Sequence, residues 1–139
     1  MQPRKIVITG GGTGGHVFPA LTIAQELISR NHQVLYVGTA RGMEAGLVPP
    51  QKIPFYTVKV GPVKNQGIFT IIKTLFYLFF AVLWSIRFIR FEKIDAVIGV
   101  GGYVSVPVSL AAWLLRKPLY LQEQNSSVGI ANRFLGRLA

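Results

Sequence analysis

Apolar and polar positions follow two periods along this chain. Ile6, Val7 and Ile8 form a β-branched run that reads as a buried parallel strand over Lys5–Thr9. After it, Pro19, Ala20, Leu21, Ala24, Leu27 and Ile28 recur at helical spacing and predict a helix over Pro19–Ser29. The two patterns then alternate: a strand over Gln33–Val37, a short helix over Met43–Leu47, a strand over Phe55–Val60 and a long apolar helix over Ile68–Phe91. A strand over Asp95–Val100, a helix over Val106–Leu115, a strand over Pro118–Gln122 and a last helix from about Val128 complete the chain. Such alternation predicts the α/β class, a Rossmann-like doubly wound parallel sheet in one domain over residues 1–139. With strand order 3-2-1-4-5, the first and fourth strands meet at the switch point, and ligands bind beyond their carboxyl ends. There is no internal repeat or linker, and the loop Gly61–Gly67 is the segment expected to be mobile.

The first strand ends in GGGTGGH, five glycines within six positions followed by His16. Glycine lets the backbone turn with positive φ and approach a ligand closely, and a helix N-terminus beyond it favours negative charge. A phosphate or pyrophosphate suits such a turn. Gly10, Gly12 and Gly15 also fit G-x-G-x-x-G, but a dinucleotide site wants an acidic residue at the end of the second strand. Gly38, Thr39 and Ala40 stand there instead, which argues against that reading. A second glycine turn, Gly99, Gly101, Gly102, Tyr103 and Ser105, follows the fourth strand, and Glu123, Gln124 and Asn125 end the fifth. The topology brings all three to one crevice. His16 is the proton acceptor in that set, placed just before or within the first turn of the helix, and it reads either as a general base or as a capping histidine. His32, beside Asn31 at a helix end, reads as a surface cap.

The segment Ile68–Phe91 holds the excess hydrophobicity. It is uncharged from Thr74 to Ile86, a run of 13 residues. Such a run is about 20 Å long as a helix, short of the ~20 residues that span a bilayer. Thr70, Lys73, Thr74, Tyr77 and Ser85 fall on one stripe, expected to be the wet one, and the bulky remainder needs cover. Lys59, Lys64, Arg87, Arg90 and Lys93 form a basic collar. Three readings stand: a helix lying on an anionic membrane, an ordinary buried helix, and a true span.

A net charge of +10, from 15 Lys and Arg against 5 Asp and Glu, points to an anionic partner. Nucleic acid is not favoured, because the basic residues are not interleaved with aromatics in an RNA-binding pattern. The chain has no cysteine, which excludes a disulfide framework and thiol chemistry, and two histidines leave little for a metal site. No secretory signal pattern opens the chain, so a cytoplasmic location is expected.

Taken together, GGGTGGHVFPAL at 10–21, GTARGMEAGLVP at 38–49, GVGGYVSVP at 99–107 and EQNSSVGIANR at 123–133 resemble the amino-terminal half of the MurG family. That family of bacterial transferases adds N-acetylglucosamine to an undecaprenyl-diphosphate-linked acceptor, the lipid I to lipid II step of peptidoglycan synthesis. The resemblance implies a GT-B fold whose amino-terminal domain binds the acceptor, with the UDP-GlcNAc-binding donor domain outside these residues, in the same or a partner chain. It implies an inverting transfer without metal or other cofactor, with His16 as the base. Thr13, Gly14, Gly15 and Asn125 would be donor contacts, and Gly11, Gly12, Gly101, Gly102, Tyr103, Glu123 and Gln124 acceptor contacts. A peripheral place on the cytoplasmic face of the plasma membrane follows from the same likeness. Gln122 departs from the family, which commonly has histidine there. The rival readings are a separate acceptor subunit of a split GlcNAc transferase and a non-catalytic pyrophosphate-lipid binding module.

Overall fold

The computed structural model describes residues 2–60 and 67–139, so the mobility expected of the loop Gly61–Gly67 falls, apart from Gly67, outside the described residues. Five parallel strands, β1 (Lys5–Thr9), β2 (Gln33–Gly38), β3 (Phe55–Thr57), β4 (Ala96–Gly99) and β5 (Leu119–Leu121), stand in the order β3-β2-β1-β4-β5. The expected sheet and its switch point between β1 and β4 are therefore present. Side chains alternate across the sheet, as the two-residue period of a strand requires. Val7, Leu35, Val37 and Val97 face α3 (Ile68–Phe91) and α4 (Ser105–Leu114) in one core layer. Ile8, Val34 and Tyr36 face α1 (Gly14–Ser29) in the other, where Val17, Ala20, Leu21 and Ala24 meet them.

Two short helices, α2 (Met43–Leu47) and α5 (Ile130–Leu135), flank the carboxyl ends of the strands. β3 stops at Thr57 rather than Val60 because its partner β2 ends at Gly38, which pairs with Thr57. The fifth strand and last helix are likewise shorter than the apolar pattern suggested.

The first helix begins five residues earlier than the pattern predicted. Thr13 is its N-cap, Gly14 and Gly15 are its first helical residues, and Pro19 lies inside it. Proline lacks the N–H that would bond four residues back, so the carbonyl of Gly15 is left without its helical partner. The early start places His16 at the third helical position, within the first turn.

His32 is not a surface cap. It is buried, its Nδ1 accepts the Arg4 N–H at 3.1 Å, and its own N–H bonds the Leu27 carbonyl at 3.0 Å. The tight turn into β2 folds it under the amino end of the sheet.

The long helix α3 turns most of the stripe expected to be wet inward, and of that stripe only Lys73 is exposed. Ser85 is fully buried, and Thr70, Thr74 and Tyr77 are half-buried, whereas Phe69, Ile72, Phe76 and Phe79 are 59–85% exposed. Only Ala81, Ser85, Phe88 and Ile89 of this helix are buried, so it is not an ordinary core helix. The inner seam explains the inversion: α3 packs on α4, whose Ala111 and Ala112 share its core layer, and small side chains let the two backbones approach closely. Ser85 satisfies its hydroxyl on the Ala81 carbonyl at 2.7 Å, which makes it an acceptable core residue. The bulky residues are left on the outside.

Candidate functional site

The two glycine turns meet beyond β1 and β4, as the strand order requires. The Gly11 N–H donates to the Gly101 carbonyl at 3.3 Å, and Gly12, Gly101 and Gly102 take φ of +88°, +99° and +80°. A Cβ on Gly102 would lie 2.5 Å from the Gly11 carbonyl oxygen, so the close approach of the two backbones demands glycine there.

His16 stands against the second turn. A Cβ on Gly101 would lie 2.7 Å from its Cδ2 and 2.8 Å from its Nε2, so the imidazole edge rests on the bare glycine. Its Nδ1 is 3.0 Å from the Thr13 hydroxyl. Thr13 makes no side-chain cap bond to the helix backbone, although an N-cap threonine normally does; its hydroxyl serves the histidine instead. With Nδ1 protonated and donating to Thr13, Nε2 presents a lone pair toward a cavity of about 190 Å³ lined by Gly101, Tyr103, Glu123, Ile130 and Asn132.

The loop after β5 closes that cavity. Glu123 accepts hydrogen bonds from the Gly129 N–H at 2.9 Å, the Asn125 N–H at 3.1 Å, the Asn125 side-chain amide at 2.8 Å and the Asn132 side-chain amide at 3.1 Å. These donors, led by the Gly129 and Asn125 amides, hold its carboxyl down to about 2. Glu123 thus spends its acceptor capacity on shaping the loop, and Asn125 is exposed at the rim. The Gln124 side-chain amide and the Gln122 Oε1 are buried with no partner among the described residues.

The first turn has its own anion. Glu44, on α2, is fully buried, and its carboxylate accepts from the Gly12 N–H at 2.9 Å and from the N–H and hydroxyl of Thr39, both at 2.8 Å. Burial pushes its carboxyl up, but the bonds from Gly12, from Thr39 and from its own N–H outweigh that, and the net shift is downward. The N–H groups of Gly11 and Gly12 are therefore both engaged. Those of Gly14, Gly15, Gly102 and Tyr103 have no partner among the described residues and face the crevice end of the sheet.

Every residue expected at the site, Gly11 to His16, Gly101 to Tyr103 and Glu123 to Asn125, is at this end of the sheet. Two polar residues that the sequence reading passed over belong with them. One is Glu44, inside the quoted segment GTARGMEAGLVP; one acid among glycines, in a chain with only 5 acidic residues, was the available signal. The other is Asn132, nearly fully buried, whose Nδ2 bonds the Gln122 carbonyl at 2.9 Å while its Oδ1 has no partner among the described residues. Its signal was an amide set among Ile130, Ala131, Phe134 and Leu135.

Residues 6–139 match the glycosyltransferase family 28 N-terminal domain. The chain is 46% identical over 136 residues to the UDP-N-acetylglucosamine–N-acetylmuramyl-(pentapeptide) pyrophosphoryl-undecaprenol N-acetylglucosamine transferase of Myxococcus xanthus, covering 96% of this chain and 36% of that protein. To the Haemophilus influenzae protein of the same name it is 42% identical over 139 residues, covering 100% of this chain and 40% of that one. The crystal structure of Acinetobacter baumannii MurG superposes with a TM-score of 0.87 at 38% identity, over 99% of this chain and 40% of that chain. The chain therefore spans well under half the length of these relatives. Its five-stranded parallel sheet is that of the amino-terminal domain of a GT-B glycosyltransferase. On sequence, fold and the meeting of its two glycine turns, the chain belongs to the glycosyltransferase family 28 N-terminal domain family.

Proposed function

We propose that this chain is the acceptor-side domain of an inverting N-acetylglucosamine transferase that converts lipid I to lipid II in peptidoglycan synthesis. The observation that carries the reading is His16, held through Nδ1 by Thr13 and turned with Nε2 toward the glycine-lined cavity. The acceptor is the undecaprenyl-diphosphate-linked N-acetylmuramoyl-pentapeptide and the donor is UDP-GlcNAc, bound mainly by a donor domain in the same or a partner chain. The 4-hydroxyl of the acceptor sugar attacks the anomeric carbon while the bond from that carbon to the donor β-phosphate oxygen breaks. UDP leaves with the bonding electrons, Nε2 of His16 takes the hydroxyl proton, and the anomeric configuration inverts. The N–H groups of Gly14, Gly15, Gly102 and Tyr103, without partners among the described residues, suit the acceptor diphosphate and the donor, with Thr13 and Asn125 at the rim toward the donor.

The outer face of α3 seats the domain on the cytoplasmic leaflet of the plasma membrane, beside its lipid-linked substrate. Its 24 residues have a mean hydropathy of 1.9 over their most apolar stretch, with only 11% of that stretch buried. Lys59, Lys73, Arg87, Arg90 and Lys93 supply the attraction to anionic lipid.

The test is transfer of labelled GlcNAc from UDP-GlcNAc to a lipid I analogue, with the donor domain supplied. Transfer that disappears in His16→Ala with acceptor binding retained supports the reading, and transfer that survives that substitution removes the base assignment.

A further inference from the structure

The side chain of Glu44 enters a space made for it. A Cβ on Gly11 or on Gly42 would fall on its carboxylate, and a Cβ on Gly38 would fall on its Cγ. Three glycines, one in the loop after β1, one at the end of β2 and one in the loop that follows it, are thus accounted for by one acidic side chain rather than by a ligand. The carboxylate ties Gly12 to Thr39, and Thr39 in turn accepts the Gly42 N–H at 3.0 Å, so the cradle closes on itself. In a parallel sheet of this order, the N–H groups of the glycine turn after the first strand are where a nucleotide's pyrophosphate is held. Here the carboxylate oxygen of Glu44 already sits on the N–H of Gly12.

We propose that Glu44 is a resident anion that occupies the phosphate position of the first glycine turn, so that this crevice rejects nucleotide pyrophosphates there. A lipid-linked diphosphate is thereby directed to the second turn at Gly102 and Tyr103 and to the start of α1. Only the identity of that diphosphate rests on the proposed function; the occupied position and the rejection stand on the geometry alone. Removing the carboxylate leaves an anion-sized space with the two N–H groups of Gly12 and Thr39 aimed into it, next to glycines with no side chain to fill it.

The experiment compares the chain with its Glu44→Ala and Glu44→Gln variants, without donor or acceptor, by thermal melting and by amide NMR of Gly12 and Thr39. Formate and inorganic pyrophosphate are the probes, with chloride at matched ionic strength as the control. Formate is expected to raise the melting temperature of Glu44→Ala saturably, by about 3–8 °C, and to shift both amide resonances. Pyrophosphate is expected to bind Glu44→Ala at least about tenfold more tightly than the unsubstituted chain, a ratio of one decade. Glu44→Gln, whose amide fills the space, gains neither response. If formate and pyrophosphate act on Glu44→Ala no more than chloride does, or act equally on the unsubstituted chain, the proposal is wrong. Should Glu44→Ala not fold, Glu44→Ser, which also removes the carboxylate and leaves the space open, takes its place with the same two outcomes. Because no transfer is measured, these results stand or fall apart from the transferase reading.

Discussion

The Thr13 hydroxyl lies 3.0 Å from Nδ1 of His16, three residues along the same helix start, and makes no bond to the helix backbone. A cap residue has been diverted to hold an imidazole. With its proton on Nδ1 the imidazole donates to Thr13 and leaves Nε2 as an acceptor. Thr13→Val keeps the volume and removes the hydroxyl. With the donor domain supplied, kcat is expected to fall roughly ten- to a hundredfold, the worth of one hydrogen bond to a group that becomes charged, with KM for the acceptor little changed. Thr13→Ser should restore most of it. His16→Ala should cost more, about a hundred- to ten-thousandfold. A Thr13→Val enzyme with unaltered kcat would remove the positioning role.

Gly102 faces the backbone of the first turn at a distance no side chain tolerates. Gly102→Ala therefore combines a positive φ with a clash against the Gly11 carbonyl, and a loss of about 1–3 kcal/mol of stability in denaturant melts is expected. Gly12→Ala shares the positive φ but meets nothing within 4 Å, so it should lose less. Equal losses at both positions would mean that strain alone, and not the contact between the turns, is at work.

Glu123 is held down to about 2 by the amides of the loop it organises. A carboxyl lowered on folding contributes stability that is fully present above its unfolded value of about 4.3 and is lost as pH falls through the folded value. The amide resonances of Asn125 and Gly129 should therefore remain in their native positions at pH 4 and move only near pH 2. In Glu123→Gln the stability difference from the unsubstituted chain should narrow between pH 4.5 and pH 2, since the substituted chain lacks this titration. A gap that stays constant over this range would show that the loop does not depend on the charge.

The exposed and buried aromatic residues of α3 should behave oppositely. Phe76→Ser and Phe79→Ser, at 62% and 60% exposure, should leave the melting temperature unchanged while lowering co-sedimentation with anionic vesicles about tenfold each, as expected for about 1.5 kcal/mol of lost apolar burial. Phe88→Ala, in the core beside Trp84 and Tyr56, should instead lose about 3–5 kcal/mol of stability. Vesicle binding insensitive to salt and to anionic lipid would count against the membrane seat.

Much of this architecture was readable from the chain. β-branched runs before glycine turns located β1 and β4, and the strand order then brought His16 to Gly101 without any knowledge of contacts. Three features escaped for physical reasons. The start of α1 was hidden because Gly14 and Gly15 are poor helix formers, and the Thr13 carbonyl, which accepts the His16 and Val17 N–H groups, together with the burial of Val17 overrides their preference. The facing of α3 was misjudged because periodicity shows which residues share a stripe but not which stripe has a neighbour, and the neighbour here is the small-residue seam of α4. Glu44 was passed over because a lone acid reads as surface, and only the three-dimensional meeting of Gly12 and Thr39 makes its burial tolerable.

The outward phenylalanines of α3 also set the terms on which this domain can be handled. In plain buffer, the surface best matched to that face is the same face on a second copy, so the chain's apparent size in solution should grow with its concentration. Detergent or lipid competes for that face and returns the monomer. A preparation that stays monodisperse in water is one in which α3 has already found something to lie against.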